Sequence, residues 1–349
     1  MRFSKTMTRL LFGAAALSVF LVVMGSNGKT ATAAPAMAEQ TAAEQNDGII
    51  KWVDFNVTSE ALKKAVDLDV ASHGEETPVN YVELLACLAA QNGNDFSHYR
   101  DRQLEDIAAS LRNGTDMAAM TKDLPYYGYY RQAFEAVLAG LVGEYEQEVP
   151  NEEGGGTHWE TRYGIKVFSP IAKNYPYSHY DDFGSRRTYG FERTHLGNDL
   201  MGQTGTPIVA VESGIVEALG WNQYGGWRIG IRSLDGKRYY YYAHLRQNFP
   251  YRKDLKEGDS VQAGDVIGYL GHTGYSQREN VNNIDTPHLH FGIQLIFDES
   301  QKECNNEIWI DVYQIIRLLD SYRVEVVKDP ATKEYSRVYG YHDLSPLTE

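Results

Sequence analysis

The stretch Pro287-His288-Leu289-His290-Phe291 begins an apolar run that continues to residue 297, and it carries two histidines two positions apart. Side chains at i and i+2 of a β-strand point to the same face of the sheet. We therefore expect both imidazoles to face a common cleft, while Leu289 and Phe291 face the core. This alternation predicts a β-rich domain that presents a histidine pair.

Further β-rich runs lie upstream of this stretch, separated by turn signals such as Asp235-Gly236 and Gly225-Gly226. They cover residues 207–212, 214–219, 227–233, 238–243 and 266–270. Many short strands with regular turns are typical of an antiparallel sheet or barrel. Residues 161–325 are therefore predicted to form an antiparallel, sheet-like or barrel-like domain that includes a packed helix near its end.

Residues 49–146 differ in character and are predicted to form a small helical domain. One amphipathic helix is indicated by apolar residues at the spacing i, i+3, i+4, i+7, namely Leu104, Ile107, Ala108 and Leu111. Breaks are expected at Asn92-Gly93-Asn94 and at Asn113-Gly114. The predicted fold class is α+β, with the helical domain preceding the β-rich domain.

The remaining segments are assigned by composition. Residues 147–160 are acidic and rich in glycine, which predicts a linker between the two domains. Residues 39–48 are rich in alanine, glutamate and glutamine and are predicted to be a spacer. Residues 326–349 are predicted to be a C-terminal tail. The sequence specifies no oligomeric state.

The N-terminal segment, 1–38, has the anatomy of a secretory signal peptide. Arg2, Lys5 and Arg9 form a basic region, and the next fifteen residues are apolar. Ala-x-Ala cleavage candidates follow at 31–33 and 36–38. The alternative is a retained membrane anchor, although the run is shorter than the roughly 20 residues that span a bilayer. In both cases the rest of the chain is expected outside the cytoplasm, secreted or associated with the cell envelope.

Charge and cysteine content exclude several classes of protein. The formal net charge is −14, so the surface has no excess of cations to neutralise phosphates, and nucleic acid is not an expected partner. The two cysteines, Cys87 and Cys304, are not arranged as a CxxC pair, which excludes a thiolate metal site. They are compatible with one disulfide or with two buried thiols.

A second polar motif, His195-Leu196-Gly197-Asn198-Asp199, complements the histidine pair. A lone His-x-His on a strand is usually a surface pair, so it does not indicate a metal site by itself. Neutral imidazoles and a carboxylate are, however, suitable zinc ligands. Two histidines and one aspartate would leave the fourth position open for water, as a catalytic site requires.

Residues 189–297 resemble the catalytic domain of the lysostaphin-type (LytM-like) zinc metalloendopeptidases, which cleave peptides in peptidoglycan. Four blocks carry the resemblance in the family's order: His195 to Asp199, Tyr242-Ala243-His244-Leu245, the glycine-rich segment from Gly258-Asp259 to Thr273-Gly274, and Pro287 to Phe291. The resemblance covers about a third of the chain and does not extend to the helical segment.

The resemblance implies a role for each matching residue. His195, Asp199 and His290 correspond to the ligands of one zinc ion per chain. His288 and His244 correspond to the unliganded catalytic pair. A neutral histidine can accept a proton from water, and a second can donate to an oxyanion. We favour His288 as the base and His244 as the oxyanion partner, with the reverse assignment left open.

Two features at the edges of the motif bear on substrate binding. Tyr189 occupies the place of a substrate-stabilising tyrosine in the family, or it is an ordinary aromatic residue of the sheet. Residues 277–286 form a polar insertion where the family joins Thr-Gly-x-Ser almost directly to Pro-His-x-His. The resemblance thus implies an exported zinc endopeptidase that hydrolyses peptidoglycan peptides. The alternative is a non-catalytic family member that acts as a scaffold or an activator of another wall hydrolase.

Overall fold

The structure is a computed structural model that describes residues 50–152, 154–188, 192–302 and 307–346. The predicted signal peptide or anchor and the predicted spacer lie outside these residues. In the part of the chain that is described, the helices lack the length and apolar character that crossing a membrane would require.

Six α-helices occur in the described ranges, five of them before the first strand. They are α1 (Ser59–Ser72), α2 (Tyr81–Asn92), α3 (Asp101–Arg112), α4 (Met117–Thr121), α5 (Tyr127–Leu138) and α6 (Tyr313–Leu319). The Thr58 hydroxyl caps α1 by accepting a hydrogen bond from the backbone N–H of Ala61 at 3.3 Å. The predicted breaks at Asn92-Gly93-Asn94 and Asn113-Gly114 are confirmed, because α2 and α3 end beside them.

The strands follow α5 in the chain, and one short 3₁₀ turn spans Glu299–Gln301. The strands are β1 (Val142–Pro150), β2 (Thr157–Ile165), β3 (Ser178–His179), β4 (Arg186–Thr188), β5 (Glu192–Thr194), β6 (Asn198–Met201), β7 (Pro207–Val209), β8 (Gly214–Asn222), β9 (Gly226–Ser233), β10 (Arg238–Ala243), β11 (Ser260–Val261), β12 (Val266–Tyr269), β13 (His288–Leu295), β14 (Ile308–Ile310), β15 (Val326–Lys328), β16 (Tyr335–Arg337) and β17 (Tyr341–Asp343).

Eight of these strands form the main sheet, in the order β11-β8-β9-β10-β13-β6-β3, with β14 also paired to β13. The pairings within this sheet are antiparallel. The path is open at both ends, so the described strands form the predicted antiparallel sheet and no closed barrel. The α+β fold class is confirmed. Strand β13 lies between β10 and β6 and is therefore central to the sheet.

The helices pack on the sheet in one shared hydrophobic core. Leu85 of α2, Phe134 of α5 and Leu295 of β13 are all fully buried in it. A polar contact crosses the same boundary, since the Arg238 guanidinium donates to the carbonyl of Ala136 at 2.8 Å. The described helices and the sheet fall in one compact unit. The predicted separation into a helical domain and a β-rich domain is therefore not found.

The predicted linker, 147–160, is instead the larger part of a β-hairpin. Strands β1 and β2 pair antiparallel along nine residues each, from Val142 opposite Ile165 to Pro150 opposite Thr157. The glycine-rich centre forms the connection between the strands. Gly156 there has a φ of 106°, which residues with a side chain rarely adopt. Turns and linkers share this composition, so composition alone could not distinguish them.

The predicted tail, 326–349, also belongs to the fold. Strands β15 and β16 pair with each other, and β17 pairs with the free edge of β1. A buried ion pair secures β17, because the Lys166 ammonium lies 3.0 Å from a carboxylate oxygen of Asp343. The segment therefore extends the hairpin into a three-stranded sheet.

A buried charged cluster joins the sheet to the helices. The Arg238 guanidinium is 1% exposed and donates to both carboxylate oxygens of Glu212, at 2.9 and 3.0 Å. It also lies 2.9 Å from a carboxylate oxygen of Asp235. The Tyr240 hydroxyl donates to Glu212 at 2.5 Å. Removing the cation would leave a buried carboxylate without its counter-charge, which is costly.

We therefore expect Arg238→Met to lower the free energy of unfolding by about 3–5 kcal/mol. Lys173→Met is the control, because Lys173 forms an exposed pair with Glu325 at 3.5 Å. That change should alter the free energy of unfolding by less than about 1 kcal/mol. Urea unfolding followed by fluorescence measures both. Equal effects of the two substitutions would contradict a special role for the buried cluster.

Candidate functional site

Strand β13 presents His288 and His290 on the cleft face of the main sheet. In the register of the sheet, His290 lies directly opposite Asp199 of β6. Leu289 and Phe291 are 0% and 1% exposed, as the alternation along the strand predicts. The strand pairing thus brings together two motifs that are about ninety residues apart in the sequence.

Three side chains converge at this point. His195 Nε2 lies 3.0 Å from Asp199 Oδ1 and 3.0 Å from His290 Nδ1, and the last two atoms are 3.1 Å apart. Ligands about 2.0–2.2 Å from a tetrahedral ion are roughly 3.3–3.6 Å apart, a few tenths of an ångström wider than this cluster. The donor set of two imidazoles and a carboxylate therefore fits a metal ion with little adjustment.

Gly197 permits the chain to pass closely over this cluster. A Cβ atom at position 197 would lie 2.7 Å from Cε1 and Nε2 of His290. Side-chain atoms cannot approach so closely, so any other residue would displace the imidazole. The glycine between His195 and Asp199 is therefore required by the packing of the site.

Asp182 contacts His195 at the ring nitrogen that faces away from the cluster, a role that the sequence did not reveal. The Nδ1–H of His195 faces the backbone carbonyl of Asp182 at 3.1 Å and its carboxylate at 3.3 Å. A carbonyl only accepts hydrogen bonds, so Nδ1 carries the proton and Nε2 keeps its lone pair for a metal. Arg187 links the two carboxylates, lying 2.5 Å from Asp182 and 3.2 Å from Asp199.

His244 and His288 lie beside the cluster. Their ring centroids are 4.8 Å apart, and His288 Nε2 is 3.7 Å from Asp199 Oδ1. Each Nδ1 faces a backbone carbonyl, that of Thr273 at 2.9 Å and that of Thr286 at 2.8 Å. Because a carbonyl only accepts, Nδ1 of each ring is the donor in these contacts, and Nε2 points away from the carbonyls. The structure brings together all five polar residues that the resemblance singled out.

His244 has an unusual backbone conformation, with a φ of 61°. It lies immediately after β10, where its N–H donates to the carbonyl of Gly225 at 2.7 Å. A left-handed conformation of a residue other than glycine costs about 1–2 kcal/mol. The conformation directs the imidazole toward His288 and away from the line of β10.

Burial governs the protonation of these groups. It lowers the pKa of His244 well below the ordinary value, and the nearby His288 and His290 lower that pKa further. Burial also lowers the pKa of His290. For Asp199, burial raises the pKa, but hydrogen bonds from His195 and His290 outweigh it, and the net pKa lies below its ordinary value. These shifts favour neutral imidazoles and an ionised carboxylate, the forms that bind metals.

The cluster opens into a cleft of about 350 Å³. Besides the five polar residues, its walls come from the β4–β5 hairpin, from β10 and from the loops around it. The wall residues are Arg187, Thr188, Arg193, Tyr224, Gly225, Tyr241, Ala243, Tyr275 and Asn283. The motifs did not reveal these walls, because their residues come from segments without metal-binding spacing.

The polar insertion, 277–286, lies beside this cleft as expected. Asn280 anchors it, since its side-chain oxygen accepts from the Trp227 indole at 2.9 Å and from the Asn248 backbone at 2.8 Å. Asn283 lines the cleft and donates to the carbonyl of Tyr275 at 2.8 Å. The insertion is thus held against the domain by specific hydrogen bonds.

Two further residues with predicted roles, besides those of the N-terminal segment, lie outside the described ranges. Tyr189 is one, so its contribution to the cleft stays a prediction. Cys304 is the other, and the disulfide also stays untested. Cys87 is buried in α2 without a disulfide partner among the described residues, and burial raises the pKa of its thiol to about 11.

The sequence profile of peptidase family M23 matches residues 193–304. An L-Ala–D-Glu endopeptidase from Bacillus subtilis is 34% identical over 160 residues, which are 46% of this chain and 45% of that enzyme. Lysostaphin from Staphylococcus staphylolyticus is 40% identical over 98 residues, which are 28% of this chain and 18% of lysostaphin. The chain therefore spans less than half the length of each relative.

A solved structure is similar over a longer range. It is a Ruminococcus gnavus protein assigned by name as the glycyl-glycine endopeptidase LytM. The alignment covers 85% of this chain and 99% of that protein, with a TM-score of 0.54 and 22% identity. The likeness concerns the fold, and it extends beyond the segment that matches the family profile.

We expect Asp182→Asn to weaken metal binding by about 10- to 100-fold, because it removes a carboxylate that orients His195. Asp181→Asn is the matched control, since the exposed neighbour makes no contact with His195 among the described residues. Competition with a chromogenic chelator measures the affinity of both variants for Zn²⁺. Unchanged affinity of the Asp182 variant would show that the backbone carbonyl alone orients the ring.

Proposed function

This chain carries a domain of peptidase family M23, and from that premise we propose that it is an exported zinc endopeptidase that hydrolyses peptide bonds in peptidoglycan. One observation carries the proposal: two histidines and an aspartate converge as a ligand set, with two further histidines beside them in one cleft. A scaffold or activator would have no use for this complete set of five residues.

The relatives support the reaction type. Peptidases of family M23 act as peptidoglycan endopeptidases. The matched Bacillus subtilis enzyme is named for an L-Ala–D-Glu bond, and the R. gnavus protein for a glycyl-glycine bond. These two bonds differ in charge, because glutamate carries a carboxylate that glycine lacks. The relatives therefore support hydrolysis of a wall peptide. They do not specify which bond is cleaved, and the residues that line the cleft must determine it.

The ligand set supports zinc as the metal. His195, Asp199 and His290 provide two nitrogen donors and one oxygen donor, which are typical of catalytic zinc sites with an open position. A bound zinc ion would polarise the scissile carbonyl and lower the pKa of a water molecule. The chain's own residues must then hold these ligands, orient the peptide and move the protons.

His288 is proposed as the general base. Its Nε2 lies 3.7 Å from Asp199 Oδ1, next to the cluster where water would bind. The carbonyl of Thr286 holds its Nδ1, so the ring cannot turn away, and Nε2 is available to accept a proton. The same nitrogen can afterwards return this proton to the leaving amine.

His244 is proposed as the partner of the oxyanion. It is farther from the cluster, with a centroid distance of 5.9 Å to His290. Burial keeps its pKa low, so in the free protein the ring is neutral and accepts at Nε2. Negative charge developing on the substrate carbonyl would favour protonation of Nε2 by a proton taken from solvent water, which returns to solvent when the oxyanion collapses. Donation by His244 then strengthens only as the transition state is approached, which is the condition for catalysis.

The export of the chain rests on the N-terminal segment, 1–38. Its basic region, apolar run and Ala-x-Ala sites are those of a signal peptide. A substrate in the cell wall requires an enzyme outside the cytoplasm, so this assignment agrees with the proposed reaction. The proposal includes a soluble secreted form and an envelope-associated form, depending on whether the segment is cleaved.

Two groups of alanine substitutions should behave differently. His195→Ala, Asp199→Ala and His290→Ala should each lose most of the zinc, because a three-ligand site cannot spare a ligand. His244→Ala and His288→Ala should keep zinc, while kcat falls by about 10²- to 10⁴-fold. Metal analysis and digestion of purified peptidoglycan, followed by mass spectrometry of the fragments, measure these effects.

Wild-type protein treated with excess chelator and then supplied with zinc is the control for this experiment. Full zinc content in a ligand variant would contradict the ligand assignment. Near-normal hydrolysis by His244→Ala or His288→Ala would contradict the catalytic assignment of that residue. Chelator-resistant hydrolysis by the wild type would contradict zinc catalysis.

The insertion 277–286 is proposed to contact the substrate. It borders the cleft, and the Asn280 hydrogen bonds hold it in place. Ordered loops beside a rigid site commonly determine specificity. Joining Ser276 to Pro287 through a single glycine should raise KM or change the cleaved bond, while zinc affinity stays within a few-fold.

Parallel digests by the native and the shortened proteins test this expectation. Asn280→Ala serves as a milder variant that loosens the loop without removing it. Identical products at identical rates from native and shortened proteins would exclude the insertion from substrate recognition.

A further inference from the structure

The β4–β5 hairpin places two arginines side by side at the cleft. Arg187 of β4 is directly opposite Arg193 of β5 in the pairing. Both are partly buried, whereas the strand neighbours Arg186, Glu192 and Thr194 are exposed. Arg187 and Arg193 therefore share the inner face of the hairpin, and both line the cleft.

This arrangement is electrostatically unfavourable by itself. Like charges directly opposite each other on paired strands destabilise the pairing. Arg187 is compensated, because it lies within 3.2 Å of the carboxylates of both Asp182 and Asp199. The second cation of the pair therefore needs its own compensation.

Among the described residues, Arg193 forms no ion pair of its own, and the charge of Asp199 acts on it only from a distance. Its Nε atom is buried and has no hydrogen-bond partner among the described residues. No carboxylate of the described residues lies within ion-pair distance of its guanidinium. The neighbouring positions 189–191, which are not described, are Tyr, Gly and Phe and carry no acid.

The one described contact of the Arg193 guanidinium is with an aromatic ring. It lies 4.7 Å from the ring centroid of Tyr275. Such stacking positions the planar group but leaves its edge N–H donors free for a carboxylate, which Arg can bind through two parallel hydrogen bonds. Tyr275 thus holds the guanidinium at the cleft wall.

We propose that Arg193 binds a carboxylate of the substrate near the scissile bond, so that the preferred substrate is an acidic stem peptide of peptidoglycan and not a neutral glycine chain. The inference rests on the proposed endopeptidase function and specifies its substrate class. Arg193 lines the same cleft as His195 and Asp199. A carboxylate bound there therefore belongs to a residue at, or next to, the cleaved bond.

Two synthetic peptides test the proposal. One is L-Ala-D-Glu-L-Lys-D-Ala with the glutamate joined through its side-chain carboxyl, which leaves the α-carboxylate free. The other is the same peptide with that carboxylate converted to a carboxamide. Zinc-loaded wild-type protein and Arg193→Gln are compared for kcat/KM, and the same pair of peptides is titrated calorimetrically against His288→Ala with and without Arg193→Gln.

We expect the wild type to prefer the carboxylate peptide by about 10- to 100-fold, the range for a charge-assisted hydrogen bond. Arg193→Gln should remove most of this preference. Its kcat/KM for the carboxamide peptide should stay within about 3-fold of the wild-type value. If Arg193 had only a structural role, Arg193→Gln would lower kcat/KM equally for both peptides. Arg186→Gln is the matched control on the same strands, because its exposed side chain faces away from the cleft, and it should keep the preference.

The outcomes separate the two proposals. Equal binding and equal cleavage of both peptides by the wild type would overturn the carboxylate proposal while the endopeptidase function stands. The same holds if Arg193→Gln keeps the preference. Carboxylate-dependent binding that requires Arg193, without cleavage of any wall peptide, would support the recognition role and overturn the proposed catalysis. Absence of binding to either peptide would overturn the carboxylate proposal.

Discussion

The pairing of β13 with β6 is the constraint on which the site depends. It places His290 opposite Asp199, and the short chain between β5 and β6 then brings His195 to the same point. Side chains alternate across a sheet, so a slip of one residue would turn both histidines of β13 toward the core. Leu289 and Phe291 prevent that slip because their burial requires the present register. The hydrophobic core therefore determines where the proposed metal ligands lie.

The strands of the main sheet and the strained residue His244 contribute differently to the site. The proposed ligands are on or beside strands in the interior of the main sheet, and the buried cluster around Arg238 connects that sheet to the helices. His244 instead follows the end of β10 in a left-handed conformation. Strain of this kind persists only where surrounding contacts determine the conformation, as the bonds to Gly225 and Thr273 do here. The sheet fixes the positions of the proposed ligands, and the backbone conformation of His244 sets the direction of a proposed catalytic imidazole.

Local patterns in the sequence predicted the elements that have a strong local signal. The alternation at 287–291 identified β13 and the faces of its side chains, and asparagine-glycine pairs identified helix ends. The hairpin of β1 and β2 was taken for a linker because its glycine-rich connection resembles one, and its pairing with β17 is a long-range contact. Asp182 was missed for a similar reason. It is in an Asp-Asp pair that is typical of solvated loops, and only folding brings it to His195.

The wall of the cleft is cationic although the formal net charge of the chain is −14. Such a charge gives an anionic peptide no attraction at long range, and salt screens exposed charges beyond about 8–10 Å. Recognition of an acidic group must then occur at contact, where a partly buried guanidinium is screened little. Arg187 is committed to Asp182 and Asp199, so Arg193 is the cation of this hairpin pair that a substrate can compensate. An acidic protein can in this way favour an acidic substrate, because selectivity depends on a cleft cation that has no ion-pair partner among the described residues, and not on the field outside the cleft.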